Sequence, residues 1–390
     1  MVGSLMRVGL NATSFSPGRM GGMETYFRNL VDRLQSHDHD NDYLLLCDKR
    51  FGGEFLLANP AFRMEYINYA KPSPAWFLRG VVRNVLNLDI LANRMNGVKA
   101  DVIHHPFTVL TPPGIKTPSV LTFWDMQHEF FPTFFSRTEL LKRQRLYRAS
   151  AESATRIIVS AAFTKECLIN RYGIDHEKIE VIYTGYGSEY RPVDDAGLLA
   201  EIRRKYALDR PFLFYPAATW PHKNHKRLLE AVRLLCDRYR FDGALVLTGI
   251  AMQAHSQIMD EISRLGLADQ VKILGYLPSS DLPLLYNCAR LMVFPSLFEG
   301  FGIPLVEAMA CGCPVACAHA TSFPEVVGAA GILFDPLDHE SIAETIWSAW
   351  NDEGRLARMR ESGIERVKLF NWDAAALKTM AVYKKACGAA

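Results

Sequence analysis

Two successive series of short apolar or β-branched runs, each run followed by a helical stretch, constrain this chain more than any other feature of its sequence. Alternation of that kind connects parallel strands through helical crossovers, so it predicts doubly wound α/β sheets rather than a bundle or a sandwich. The first series reads Arg7–Asn11, Tyr43–Cys47, Met64–Asn68, Val102–His104, Val120–Phe123, Arg156–Ser160 and Glu180–Tyr183. The second reads Phe212–Tyr215, Leu245–Thr248, Val271–Leu274, Leu291–Phe294, Val315–Cys317 and Gly331–Phe334, with helices such as Lys226–Arg238 and Ser341–Trp350 between strands. Between the two series the stretch Gly185–Pro211 has no strand character and reads as the connection. The expected organisation is therefore two Rossmann-like domains, residues 1–190 and 191–370. A terminal helix over 371–390 carries Trp372, Leu377, Met380 and Tyr383 at helical spacing and is expected to pack back on the first domain. Ligands of such sheets bind beyond the carboxyl ends of the strands.

At 390 residues and 49% hydrophobic content there is enough chain for two full cores. A formal net charge of +2, from 44 basic against 42 acidic residues, gives no electrostatic footprint for nucleic acid. No apolar run reaches the roughly 20 residues of a membrane-spanning helix, and Met1–Arg7 leads into a strand rather than a signal-peptide core, so a cytoplasmic protein is expected. Eight cysteines over this length are not a disulfide framework. Cys311, Cys313 and Cys317 lie among small residues of a helix end turning into a strand, with no His or fourth Cys at ligand spacing, and no metal is assigned to them.

Candidate chemistry sits at strand-to-helix turns. After the first strand, Gly21-Gly22-Met23-Glu24 opens a helix, and paired glycines there let backbone amides approach a phosphate. The stronger signal is the run from Leu291 to Ala310. A buried strand ends at Phe294, a loop carries Glu299, and Pro304 marks a helix start at which Ile303, Leu305 and Val306 are expected to present free amides. Glu307 is expected in the first turn of that helix. Two carboxylates would then flank a phosphate-sized space, a useful geometry for a nucleotide sugar.

Glu299 and Glu307, with Gly-Phe-Gly-Ile-Pro between them, resemble the E-x7-E motif of the retaining GT-B glycosyltransferases of family 4. The resemblance covers nearly the whole chain: Gly21-Gly22-Met23-Glu24 is similar to the family's N-terminal glycine motif, and Phe370-Asn371-Trp372 with the final helix is similar to its C-terminal crossover. It implies a Rossmann-like domain on each side of a cleft, the nucleotide-sugar donor on the second and the acceptor mainly on the first. By the same resemblance Glu307 binds the ribose, Glu299 faces the sugar and its leaving phosphate, and Phe301, Gly302 and Ile303 line the sugar pocket.

A third element, Tyr215 to His225, offers Lys223 as a point charge for the diphosphate. It resembles the family's basic motif, except that Ala217 stands where an Arg often helps; Thr219 and His222 are the candidate substitutes. Its Pro-His-Lys-Asn-His wording is most similar to mannosyltransferases of bacterial surface-polysaccharide assembly, which implies GDP-mannose as donor and a lipid-linked or oligosaccharide acceptor. In the fourth element, Leu121 to Pro132, Trp124 occupies the position of the family's usual histidine. That leaves Asp125 and His128 as the candidate groups near the sugar, with His104 and His105 ranked behind them as packing or polar lining. Neither candidate site contains Asp-x-Asp, so no divalent cation or other cofactor is expected. Basic and apolar residues share two stretches, Trp76, Phe77, Arg79, Val82, Arg83 and Leu86, then Lys142, Arg143, Arg145 and Arg148, which suits peripheral contact with an anionic membrane. A dinucleotide oxidoreductase is disfavoured by the lack of Gly-x-Gly-x-x-Gly. A UDP-sugar transferase, a sugar-nucleotide epimerase and a non-catalytic carbohydrate-binding relative stay as alternatives.

Overall fold

Every strand expected from the sequence forms, with ends shifted by at most two residues. The computed structural model describes residues 5–18, 20–67, 74, 78–79 and 89–388, so of the first basic-apolar stretch only Arg79 lies within it. The chain divides into two units, Met1–Gly185 with Asn371–Ala390, and Tyr186–Phe370. The division falls slightly before the expected residue 190.

The first unit holds β1 (Arg7–Ala12), β2 (Asp42–Cys47), β3 (Phe62–Tyr66), β4 (Val102–His105), β5 (Ser119–Phe123), β6 (Arg156–Val159) and β7 (Ile179–Val181) in one parallel sheet of order β3-β2-β1-β4-β5-β6-β7. β5 is buried along its whole length, as expected of a parallel strand covered on both faces. The Gly22–His37 helix buries Phe27, Leu30, Val31 and Leu34 on its inner stripe. The terminal Trp372–Ala386 helix joins the same core through Trp372, Ala375, Ala376 and Tyr383. Asn371 caps it, accepting from the amides of Asp373 and Ala374. Gly185 and Trp372 meet where the chain leaves the unit and returns: a Cβ on Gly185 would lie 2.5 Å from the Trp372 ring, so a side chain there would force the helix away.

The second unit holds β8 (Phe212–Pro216), β9 (Ala244–Thr248), β10 (Val271–Ile273), β11 (Leu291–Phe294), β12 (Val315–Ala318) and β13 (Gly331–Phe334), again all parallel, in the order β10-β9-β8-β11-β12-β13. Strand order reverses between β8 and β11, and at such a switch point two neighbouring loops diverge and leave a crevice. In the first unit the reversal lies between β1 and β4.

Candidate active site

The two loops that leave the β8/β11 switch point carry the basic and the acidic candidates, and buried hydrogen bonds stitch them together. Tyr215, at the end of β8, donates from its hydroxyl to the Lys223 carbonyl at 2.7 Å and lies 3.1 Å from the Ser296 hydroxyl beyond β11. The Leu297 amide donates to the His222 carbonyl at 2.8 Å. Asn224 adopts a left-handed backbone, φ 60°, which ends the short turn Pro221–Lys223 and starts the His225–Tyr239 helix. Its buried side-chain amide donates to the carbonyls of Pro295 (3.1 Å) and Pro336 (2.7 Å), tying three strand ends together.

This scaffold places Lys223 against Glu299 in a direct ion pair, with only 15% and 19% of the side chains exposed. The ammonium also lies 5.6 Å from the centre of the Phe294 ring. Burial works to raise the Glu299 carboxyl, but Lys223, helped by His222, more than offsets it and holds the group below the ordinary range. Burial pushes His222 down to about 4, with Glu299 opposing and Lys223 reinforcing. His222 is therefore neutral at pH 7 and can hydrogen-bond without adding charge. Thr219 is a loop fastener: its hydroxyl oxygen accepts from the Met252 amide at 2.6 Å, its amide donates to the Ile250 carbonyl and its carbonyl accepts from Ala254. The hydroxyl hydrogen is what it has left for a ligand.

Two expectations for the following helix are corrected. The Leu305 amide is not free: Gly302, at φ 100°, turns its carbonyl to accept it at 2.9 Å. Any Cβ on Gly302 would also crowd Leu305 and Phe323 at 3.1 and 3.2 Å, so the tight turn requires glycine. Glu307 is not in the first turn either. The Ile303–Ala310 helix puts it one turn further on, where it complements no dipole and instead accepts from the Tyr286 hydroxyl at 3.2 Å. Burial pushes its carboxyl up to about 7, against hydrogen bonds from Tyr190 and Tyr286. Phe301 is buried against Phe370, and its carbonyl accepts from Ser322 at 2.9 Å; the same hydroxyl reaches the Glu299 carbonyl at 3.3 Å.

The Glu307 carboxyl holds its proton to about 7 in the folded chain, against an ordinary value of 4.5. Its stabilising contribution is then fully present below pH 4.5 and is lost as pH rises through about 7. Wild type should lose melting temperature relative to Glu307→Gln across that window, measured by thermal denaturation without ligand. A difference that stays flat with pH would exclude the proton assignment.

In the first unit, Gly21 opens its helix at φ 54°, and a Cβ on it would meet nothing within 4 Å. Its carbonyl accepts from Glu24 and Thr25, and the Glu24 carboxylate returns to the Gly18 amide at 2.7 Å, so Gly21-Gly22 lead a folded loop. The Asp125 side chain accepts from the Gln127 amide at 3.0 Å, a local turn that leads into the short Gln127–Phe130 helix. His128 is a correction: its side chain is fully buried, 3.2 Å from the Tyr172 hydroxyl and edge-on to Tyr147, so it packs rather than reaching a ligand. Trp124 is structural as well, packed edge-on against Tyr26 and donating from its ring nitrogen to the Pro106 carbonyl at 2.8 Å. His104 bridges Tyr383 and Thr122 at 2.8 Å each, a core role as expected, and burial drives it down to about 3. Cys311, Cys313 and Cys317 are buried free thiols.

Residues 20–189 match the model of Glycosyltransferase Family 4, and residues 200–366 match that of Glycosyl transferases group 1. The O-antigen chain mannosyltransferase B of Escherichia coli is 30% identical over 284 residues, 73% of this chain and 74% of that protein. The chain belongs to glycosyltransferase family 4. The serotype-specific mannosyltransferase WbdA of Escherichia coli is 30% identical over 230 residues, and the aligned part is 57% of this chain but only 28% of that longer protein. Among solved structures, Anabaena Alr3699/HepE in complex with UDP and glucose aligns with a TM-score of 0.74 at 21% identity, over 97% of this chain and 100% of that one. WaaG, a glycosyltransferase involved in lipopolysaccharide biosynthesis, aligns at 0.70 and 16% identity, over 97% and 99%. At these identities the likeness carries the fold alone, and the fold is GT-B.

Two side chains at the candidate site escaped the sequence reading. Tyr190 sits in the strandless connection, and Tyr286 in a helix with no motif; only the fold brings both to Glu307. Asn224 did carry a signal, since Asn is the non-glycine residue best suited to a left-handed position between a turn and a helix.

Proposed function

We propose that this glycosyltransferase is a retaining mannosyltransferase that takes GDP-mannose and elongates a lipid-linked or oligosaccharide acceptor of a bacterial surface polysaccharide. The observation that carries the reading is the Lys223–Glu299 pair, set beside neutral His222 at a switch-point crevice. A diphosphate arriving there competes with Glu299 for the ammonium, which neutralises charge that grows as the sugar's C1–O bond to phosphate breaks. The acceptor oxygen bonds to C1 on the face the nucleotide leaves, and its proton passes to a phosphate oxygen of the departing diphosphate. Glu307 holds the ribose hydroxyls. Lys223 supplies the cation, so the reaction runs without a divalent metal, and Asp125 of the first unit orients sugar or acceptor. Mannose as the sugar draws support from the relatives named as mannosyltransferases.

The test is a labelled-donor assay with GDP-mannose, UDP-glucose, UDP-galactose and ADP-glucose, in EDTA, alongside a thermal-shift series with the matching nucleotides. Mannose transfer in EDTA, with the largest shift from GDP, is the expected result. Transfer only from a UDP-sugar, or only with added metal, overturns the donor or the metal assignment respectively, and epimerised free nucleotide sugar overturns transfer itself.

Peripheral binding to an anionic membrane belongs to the same proposal. The Arg137–Ser153 helix buries only Ser150 and Ala151, and exposes Leu141 (58%) beside Lys142 and Arg145. No helix among the described residues is long and apolar enough to cross a membrane. Flotation with phosphatidylglycerol vesicles at low salt should carry the protein upward, and Arg145→Glu with Leu141→Asp should leave it at the bottom. Equal flotation of both proteins excludes this helix as the contact.

A further inference from the structure

We propose that Tyr190 is a positioning residue: with Tyr286 it aims the Glu307 carboxylate at a vicinal diol, so that the second unit selects ribonucleoside diphosphates over their 2′-deoxy counterparts. This rests on the ribose role proposed above for Glu307 and deepens it, because it names what sets the carboxylate and which donors the site refuses.

Glu307 is half-buried on the Ile303–Ala310 helix, and two other elements approach it. The buried Tyr286, in the Asp281–Cys288 helix, donates to one carboxylate oxygen at 3.2 Å and is backed by Phe214 of β8, the ring centres 5.3 Å apart and the rings nearly perpendicular. Tyr190 comes from the segment that enters the unit. It hydrogen-bonds to the same carboxyl and packs edge-on against Tyr286, ring centres 6.1 Å apart. Just beyond Tyr190 that segment is fastened to the Asp281–Cys288 helix: the Val193 amide donates to the Asn287 side-chain oxygen at 2.9 Å, and the Asn287 side-chain amide donates to the Arg191 carbonyl at 3.0 Å. Both phenols are therefore set by the fold before a ligand arrives, which reduces the ordering cost of binding.

A carboxylate has about four lone-pair positions, and the two phenols leave about two of them for its open side. Among the described residues, none of the groups that shift Glu307 is a cation: Tyr190 and Tyr286 favour the ionised form, while burial and the Glu189 carboxylate oppose it. Cys311, one turn further along the same helix, is kept protonated by burial. A ligand at this face must bring hydrogen donors without negative charge. A phosphate is repelled, and a single hydroxyl leaves one acceptor bare. The two hydroxyls of ribose supply both donors, whereas 2′-deoxyribose supplies one. Binding of the diol favours the ionised carboxylate, so the preference for ribose is lost as pH falls through about 7, and removing one phenol donor moves that loss to higher pH.

The test is calorimetric titration of the full-length protein, between about pH 6 and pH 8.5, with GDP and 2′-deoxy-GDP and with UDP and 2′-deoxy-UDP, read as the ribo-to-deoxy affinity ratio for whichever base binds. The members of each pair share base and diphosphate, so the ionisation of those groups cancels in the ratio. Wild type should prefer the ribonucleotide about tenfold at the alkaline end, and the preference should fade below about pH 7. Tyr190→Phe keeps the ring and its packing and loses only the hydroxyl. Its preference at pH 7 should be about threefold smaller than that of wild type, with the midpoint of the pH profile moved upward. In a Glu307→Gln background the same substitution should leave the ratio unchanged. A packing role for Tyr190 would not move the midpoint. An unchanged ratio and midpoint in Tyr190→Phe, or an equal effect in the Glu307→Gln background, overturns the proposal. Equal binding of ribo and deoxy forms to wild type at every pH overturns the ribose role of Glu307 and this proposal with it. Failure of both GDP and UDP to bind wild type overturns the donor reading itself, so the three failures are distinguishable.

Discussion

Lys223→Ala is expected to lower kcat by about two to three orders of magnitude, the loss seen when one preorganised electrostatic group is removed from a transition state. The ammonium sits in a partly buried ion pair with Glu299, where solvent screens it less than at a surface. Two effects follow from its removal. The departing diphosphate loses its cation, and Glu299 loses the neighbour that holds its carboxyl ionised against burial, so it takes up a proton at higher pH. Adding Glu299→Gln to Lys223→Ala should therefore cost much less than Glu299→Gln alone, because the pair acts as a unit. Steady-state kinetics with a saturating donor decides the matter. Turnover near wild type, or a change confined to KM, would show that Lys223 does not act on the departing charge. Lys223→Arg is not a neutral control, since a planar guanidinium presents its donors in a different geometry from a compact ammonium.

Asn224→Ala is expected to destabilise the second unit by about 2–4 kcal/mol, which for a unit of this size is a drop of roughly 5–15 °C in its melting transition. The estimate has two sources. The side-chain amide satisfies the carbonyls of Pro295 and Pro336, and both are left without that donor when it is removed. Alanine must also hold the left-handed backbone at φ 60°, which costs a residue without Asn's local hydrogen bonding about 1 kcal/mol more. Asn224→Gly keeps the first cost, since it too lacks the amide, and relieves only the second, so it should fall between alanine and wild type. Calorimetry of the three proteins tests this order. If glycine were as damaging as alanine, backbone conformation would play no part. If both matched wild type, the two carbonyls would have found other donors.

The strands were legible because each is a short apolar run between polar helical surfaces, and a parallel sheet covered on both faces leaves no other place for such runs. Their ends were less legible: β3 begins at Phe62 and not Met64, since periodicity marks that a strand exists and not where pairing stops. Lys223 and Glu299 could be read as a phosphate site because each stands in a loop just after a buried strand. That they touch each other depends on β8 and β11 being neighbours, a fact of strand order that no local pattern contains. His128 was misjudged for a related reason. A histidine three positions after Asp125 could have faced solvent, and it is Tyr147 and Tyr172, from two later helices, that enclose it. Leu305 was misjudged because the rule that helix starts have free amides neglects a preceding glycine able to turn its own carbonyl inward.

The meeting of Gly185 with Trp372 bears on how this protein is assembled and how it can be re-engineered. Residues 186–370 form one uninterrupted cassette, entered and left at a single doorway, so a relative's corresponding module could be grafted in as one piece with two junctions. The other module has no such independence. Its aromatic interior stays incomplete until Trp372 and Tyr383 have been synthesised, so on the ribosome the half that starts first finishes last.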